Sequence, residues 1–355
     1  VSETAYYPPL TVRASAEDDG KMVRTVLERR LGVSRKLLSR LKLTDLGITV
    51  NGERVYTNDR VAAGDLLELR MEQEESDDIL PEQMELDIVY EDADLLVVNK
   101  PPGIIVHPTH GHYTGTLANG VVHYWKLRGE RVRFRPIHRL DEETSGLVAI
   151  AKTAYIHQQL SEQLQRGEVD KRYRAYVYGS PPELSATVDE PIDRDKANPH
   201  LRVVAPDGYP SVTHYEVEAV YGDGVAAKVN LKLETGRTHQ IRVHMKHVGC
   251  PLIGDKLYGY AERAAASGSF NDGSRAGEDS MLAGETSQGQ GDPSPAGNGA
   301  PEEAPLLEKA VDRQALHAAI LSFTHPITRA RMTFEASLPD DLRRLEAELA
   351  KLQPR

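Results

Sequence analysis

The chain has 355 residues, 39% of them hydrophobic, and a formal net charge of -11. That length accommodates two domains and a proper core. The single cysteine, Cys250, excludes an intramolecular disulfide and points to a reducing, cytoplasmic setting. No stretch is apolar for long enough to form a transmembrane helix or a signal core, so no membrane partner is expected. The opening Val-Ser-Glu-Thr is consistent with removal of a preceding residue or segment.

The negative charge is unevenly spread. Residues 72 to 94 hold eleven acids and no Lys or Arg, residues 261 to 312 hold ten acids against three bases, and the remainder carries +7. A basic remainder can still attract a polyanion, because local potential rather than total charge draws phosphate in.

In chain order, Val23, Val26, Leu27 and Leu31 fall at helical spacing and Gly32 follows as a stop. Ser34 is placed to cap a second helix that buries Leu37, Leu38 and Leu41. Between residues 21 and 42 there are eight bases, among them Arg24, Arg29, Arg35, Lys36 and Arg40, against the one acid Glu28. That excess favours an anionic partner. Two short strands then flank Asn51-Gly52, a strong hairpin signal, and Val61–Leu69 supplies another turn and strand. Residues 71–83 read as an acidic, solvated linker.

A hairpin over Leu86–Lys100 breaks at Pro101-Pro102-Gly103. The histidines behind it, His107, His110 and His112, lack acidic or thiol partners at ligand spacing, and no metal is expected. Next comes Arg135-Pro136-Ile137-His138-Arg139-Leu140-Asp141-Glu142-Glu143-Thr144-Ser145-Gly146, a polar loop feeding the apolar strand Leu147–Ala151. An arginine and a carboxylate two residues apart before a buried strand read either as active-site geometry or as a structural ion pair. Thr153 caps a helix carrying Ile156, Leu160 and Leu164. The strand Lys171–Gly179 places Tyr173, Ala175 and Val177 on one inner face. Leu231–Leu233 leads through Gly236 into a helix expected to be capped by Thr238, with Ile241, Met245 and Val248 as its stripe and Arg242 held near the turn. Residues 261–312 are Gly-, Ser- and Pro-rich without periodicity and read as a disordered insertion. A strand at Arg331–Ala336 and a helix from about Asp340 close the chain.

These motifs resemble the RluA family of RNA pseudouridine synthases. The resemblance rests on the NKPPG turn, the HRLD loop, the Lys-x-Tyr-x-Ala-x-Val-x-Gly strand, and TGRTHQIRVH followed by Gly-x-Pro-Leu-x-Gly-Asp-x-x-Tyr-Gly. It extends to LHA, HP and MTFEAS near the end. Residues 12–70 resemble the S4 RNA-binding domain, and the whole is similar to the RluD-type branch. The resemblance implies an α+β protein: a small S4-like module over 12–70, then a catalytic domain over 84–352 with a mixed, mainly antiparallel sheet flanked by helices. It implies uridine isomerisation without a cofactor, in RNA and specifically large-subunit ribosomal RNA. The implied roles are Asp141 as the catalytic carboxylate, Arg242 as its partner, Tyr173 against the flipped base and Arg139 in its vacated place. His138 and Arg237 are expected to face RNA, and Leu316 and Ile241 to wall the pocket. A monomer with no obligate protein partner is expected. The alternative in another class is a non-catalytic RNA-binding or ribosome-assembly protein.

Overall fold

A computed structural model describes residues 5–260 and 301–352. These fall into two compact units, one drawn from Val1–Tyr173 and His317–Pro339, the other from Arg174–Leu316 and Asp340–Arg355.

In the first unit, β1 (Leu10–Arg13), α1 (Val23–Leu31), α2 (Arg35–Leu41), β2 (Ile48–Val50), β3 (Glu53–Arg54) and β4 (Leu66–Leu69) form a small α+β module with strand order β1-β4-β2-β3. Local chemistry sets its turns. Gly32 closes α1 at φ 65°, the Ser34 hydroxyl accepts the Leu37 N–H at 3.2 Å, and Asn51 and Gly52 both take positive φ to turn the hairpin.

The same unit continues through β5 (Asp87–Glu91), β6 (Leu95–Lys100), α3 (Leu117–Leu127), β7 (Ser145–Ala151), α4 (Ala154–Gln165) and the start of β8 (Asp170–Tyr178). β5 pairs antiparallel with β6 and β6 with β7. The Thr153 hydroxyl caps α4 by accepting the Ile156 N–H. Gly146 sits at φ 118°, and a Cβ there would lie 2.3 Å from the Ala318 carbonyl oxygen, so only glycine admits the neighbouring strand at this point.

Within the second unit are β9 (Ser185–Asp189), β10 (Ile192–Arg194), β11 (Arg202–Val204), β12 (Val212–Tyr221), β13 (Ala226–Leu233), α5 (Gln240–His247) and α6 (Ala304–Ala310). β12 pairs antiparallel with β13 and with β9, and β10 with β11. β14 (Leu316–Thr324) and β15 (Arg331–Glu335) pair antiparallel, and β14 runs parallel to β7 through His317 and Ala318. α7 (Asp340–Leu349) buries Leu342, Leu345 and Leu349. The fold is α+β with mainly antiparallel strands, as expected.

Three local expectations meet a different structure. The acidic stretch 71–83 is pinned rather than solvated. Ser76 and Ile79 are buried, the Ser76 hydroxyl accepts the Phe134 N–H at 2.7 Å, and Glu74 pairs with both Arg40 and Arg135. Of the stretch read as a disordered insertion, residues 261–300 lie outside the described residues. Its last part, 301–312, is ordered: α6 buries Ala304 and Leu307, and Glu308 accepts the Tyr178 hydroxyl at 2.8 Å. Finally, α5 begins at Gln240 and not behind a Thr238 cap. His239 takes the position before it at φ 59° without a capping hydrogen bond. The Gln240 side chain does the anchoring, accepting from Thr235 and the Arg237 N–H and donating to Val212 and Thr213.

One apolar cluster in the first unit joins Val26, Leu27, Leu37 and Leu41 of the small module to Leu147, Tyr155, Ile156, Leu160 and Phe323. The Tyr155 hydroxyl donates to the Leu31 carbonyl at 2.7 Å, and Gln159 donates to that of Gly32 at 2.8 Å. Removing residues 1–75 strips one wall from this cluster, at about 25 cal/mol per Å² of apolar surface exposed. The truncated protein should therefore melt many degrees below the full chain in calorimetry, and equal melting temperatures would contradict the shared core.

Candidate active site

Two loops of the first unit are locked together by one buried lysine. Lys100, at the end of β6, is fully buried, and its ammonium donates to the carbonyls of Pro101 and Ile104 at 2.8 Å and of Glu142 at 2.9 Å. The Gly103 N–H donates to the same Glu142 carbonyl at 3.0 Å. The Pro-Pro-Gly turn is thereby fastened to the residue immediately after Asp141.

On its other side the loop is held by β7. The Ile137 N–H donates to the Ala149 carbonyl, the Thr144 N–H to that of Asp141, and Ser145 shares a 3.0 Å hydrogen bond with His317 Nδ1. Between these fixings Asp141 stays half-buried while Arg139 is exposed. A carboxylate held on a rigid loop with access to solvent is placed for chemistry on an incoming group.

Tyr173 is buried on β8. Burial pushes its phenol pKa up, and the charge of Asp141 pushes it further, so the ring stays neutral across physiological pH. The structure thus brings together a carboxylate and an aromatic ring that lie 32 positions apart in sequence. No hydrogen bond to the Tyr173 hydroxyl occurs among the described residues. Such a ring can stack on a planar base and offer a hydroxyl to it.

Arg242 lies in the second unit on α5, 4% exposed. It forms a two-pronged ion pair with Asp255, Nε and Nη2 each 2.7 Å from a carboxylate oxygen. Its guanidinium also lies 4.9 Å from the centre of the Tyr258 ring. The Tyr258 hydroxyl bonds to His239 Nδ1 at 2.8 Å and accepts the Arg202 N–H at 2.8 Å. Asp255 further accepts the N–H groups of Leu257 and Tyr258. Arg242 is thereby fixed in direction by the Gly-Asp-x-x-Tyr-Gly segment, through Asp255 and Tyr258, two residues to which the sequence reading gave no role. Their signal was the motif itself, which names the residues but not which side chain they grip.

The other candidates divide. Ile241 and Leu316 are buried in the second unit. Arg237 is exposed there, with its guanidinium 5.6 Å from the centre of the Tyr209 ring. Arg24, Arg29 and Lys36 are exposed and carry no ion pair among the described residues. Arg35 lies 3.5 Å from Glu28, and Arg40 is engaged by Glu74 at 2.6 Å, so Arg40 is not the open cation expected. His138, expected to face RNA, instead turns its imidazole into the protein: Nε2 accepts the Ala149 N–H at 3.4 Å, and Nδ1 is buried. Asp92, Asp94 and His325 cluster closely, but His325 Nδ1 accepts the N–H groups of Ile327 and Thr328. Its proton therefore sits on Nε2, donated to Asp92 at 3.0 Å, and the group is a hydrogen-bond clasp rather than a set of metal donors.

The family model for RNA pseudouridylate synthases matches residues 94–247, which contain Asp141, Tyr173 and Arg242. An uncharacterized RNA pseudouridine synthase of Bacillus subtilis, YlyB, is 38% identical over 86% of this chain and 86% of its own length. The chain belongs to the RNA pseudouridine synthases. The ribosomal large subunit pseudouridine synthase D of Yersinia pestis is 36% identical, with 86% of this chain and 84% of the relative covered. Human RNA pseudouridylate synthase domain containing 4 shares the fold, with a TM-score of 0.51 and 22% identity over 76% of this chain and 94% of its own. This pseudouridine synthase therefore isomerises uridine in RNA. Among the described residues no helix is long and apolar enough to cross a membrane.

The Arg242–Asp255 pair lies in a protein interior, where breaking one half strands the other charge. Asp255→Ala should cost about 3 to 5 kcal/mol in chemical denaturation, and a loss below about 1 kcal/mol, the scale of an exposed pair, would show that the fork contributes little.

Proposed function

We propose that this enzyme modifies uridines of large-subunit ribosomal RNA in the cytoplasm, as a monomer, with Asp141 as the catalytic carboxylate. The assignment of substrate rests on the likeness to the large subunit pseudouridine synthase D proteins, which cover most of this chain. The assignment of the carboxylate rests on one observation above all: Asp141 is held by a fastened loop in the electrostatic neighbourhood of a buried, neutral tyrosine.

The reaction breaks the N1–C1′ bond of uridine, turns the base and joins C5 to C1′; the hydrogen leaving C5 is balanced by a proton gained at N1. There is no net redox change and no group donor, so side chains suffice for the task. The target base must first leave its stack. Arg139, exposed on the loop, fills the space with a plane that stacks on bases. Tyr173 lies against the extruded uracil, and Asp141 acts at the sugar and base. Arg242 is the cation that partners the catalytic carboxylate, held straight by Asp255. The small N-terminal module, S4-like in its elements, supplies affinity through Arg24, Arg29, Arg35 and Lys36, whose charges suit phosphate contacts. Arg237 adds a further RNA contact, and Ile241 and Leu316 exclude water.

The decisive variant is Asp141→Asn, which keeps size and removes the anion. Pseudouridine formation in transcribed large-subunit ribosomal RNA should fall by several orders of magnitude while folding and RNA binding persist, the scale of a lost nucleophile and not of a lost surface ion pair. Near-normal product from the variant would eliminate Asp141, and release of free uracil by the wild type would indicate a hydrolase instead. A milder change, Tyr173→Phe, keeps the stacking ring and should retain more activity than Tyr173→Leu; equal rates for the two would remove the ring from the site.

A further inference from the structure

Two buried titratable groups of the first unit have no part in the roles above. Lys171 stands on β8 two residues before Tyr173, so both side chains leave the strand on the same face. It is 6% exposed, and among the described residues its ammonium has no hydrogen bond and no ion pair. His138 immediately precedes Arg139 in the loop. Its Nε2 accepts the Ala149 N–H, which places the ring proton on Nδ1, and that atom is buried without a partner.

The two groups are neighbours electrically. Burial first, and then the charge of Lys171, bring the His138 pKa down to about 3, so the imidazole is neutral at working pH. Burial also lowers the pKa of Lys171, and no opposing charge offsets it. Nearly every buried lysine has a partner, because an uncompensated ammonium in low dielectric is costly. Lys100, on β6 of the same unit, shows the usual solution with three carbonyl acceptors.

What is missing around Lys171 is therefore an acceptor. The ammonium of Lys171 offers three donors and makes no hydrogen bond to an acceptor among the described residues. A neutral carbonyl would leave the buried charge standing, whereas an anionic oxygen would neutralise it. Along the strand Lys171 is displaced about 6.6 Å from Tyr173 at about 3.3 Å per residue. Moreover, the field of Asp141 falls on Tyr173, while that of Lys171 falls on His138. Lys171 thus lies beside the ring of Tyr173 along the strand.

We propose that Lys171 is a phosphate-binding residue of the substrate site, taking the RNA backbone phosphate next to the uridine whose base lies against Tyr173. The inference rests on the proposed base-stacking role of Tyr173 and adds the backbone contact that the sequence reading had sought in His138. It accounts for a lysine kept buried without a counter-charge: the RNA brings the charge.

The test measures binding apart from turnover. In an Asp141→Asn background, Lys171→Met and its parent are titrated with transcribed large-subunit ribosomal RNA across a salt series, and both are melted. Lys171→Met should weaken binding roughly tenfold, the scale of one charge-assisted contact. It should also make the slope of log affinity against log salt shallower by about 0.7 to 1. Its melting temperature should hold or rise, because a desolvated charge has been replaced by a methyl thioether of similar length. Lys171→Arg should recover part of the affinity. Unchanged affinity and slope, or a clear fall in melting temperature with Lys171→Met, would overturn the proposal in favour of a structural lysine. Pseudouridine formation by the wild type on the same transcript separates this outcome from the functional reading: an inactive wild type refutes the latter, whereas an active one with an unaltered Lys171→Met slope refutes Lys171 alone.

Discussion

The ammonium of Lys100 is the fixed point on which the loop of Asp141 depends. A fully buried lysine is tolerated here because three backbone carbonyls take its three protons, each such charged hydrogen bond being worth about 1.5 to 3 kcal/mol. Those carbonyls belong to two separate turns, Pro101–Ile104 and the residue after Asp141. A loop of polar residues cannot hold its own shape. Tied to the end of β6 through Lys100 and to β7 and β14 through Ser145 and His317, this one presents a half-buried carboxylate in a defined place.

The second unit solves the same problem with opposite chemistry. Arg242 must be both charged and aimed, and the Asp255 fork with the Tyr258 ring sets its direction without a carbonyl cage. In each unit the group expected to act is held through a residue that belongs to another motif. Motif residues with no chemistry of their own are thus explained as supports: Lys100 for the loop of Asp141, Asp255 and Tyr258 for Arg242. Asp255 is in turn held by two backbone N–H groups, so the support is itself supported.

Charge along the chain has two uses that composition cannot separate. The acids of residues 71–83 looked like a solvating run, yet Glu74 joins Arg40 to Arg135 and Glu75 pairs with Arg131 at 2.8 Å. They fasten the basic N-terminal module to the elements that follow it. Arg24, Arg29 and Lys36 remain exposed on the same module. The surface offered to phosphate is therefore smaller than eight bases suggested, and the module is a wall of a shared core rather than a tethered accessory.

Features decided within a few residues were legible in the sequence. Ser34 and Thr153 cap their helices, Gly32 ends one, and Asn51-Gly52 turns a hairpin, because each needs only a side chain and the backbone beside it. The motifs named Asp141, Tyr173 and Arg242 as candidates, and their roles are proposals. Tertiary structure alone decided the rest, since each of those outcomes turns on a partner far along the chain. Thr238 does not cap α5 because Gln240 reaches back to Val212 and Thr213. Residues 304–310 form a helix at the end of a Gly-, Ser- and Pro-rich stretch, with Pro305 in its first turn, because Leu307 is buried and Glu308 accepts the Tyr178 hydroxyl. His138 points inward because Ala149 offers it an N–H, and Arg242 is gripped by an aspartate thirteen residues on, in a motif whose spacing records the pair only once the chain has folded.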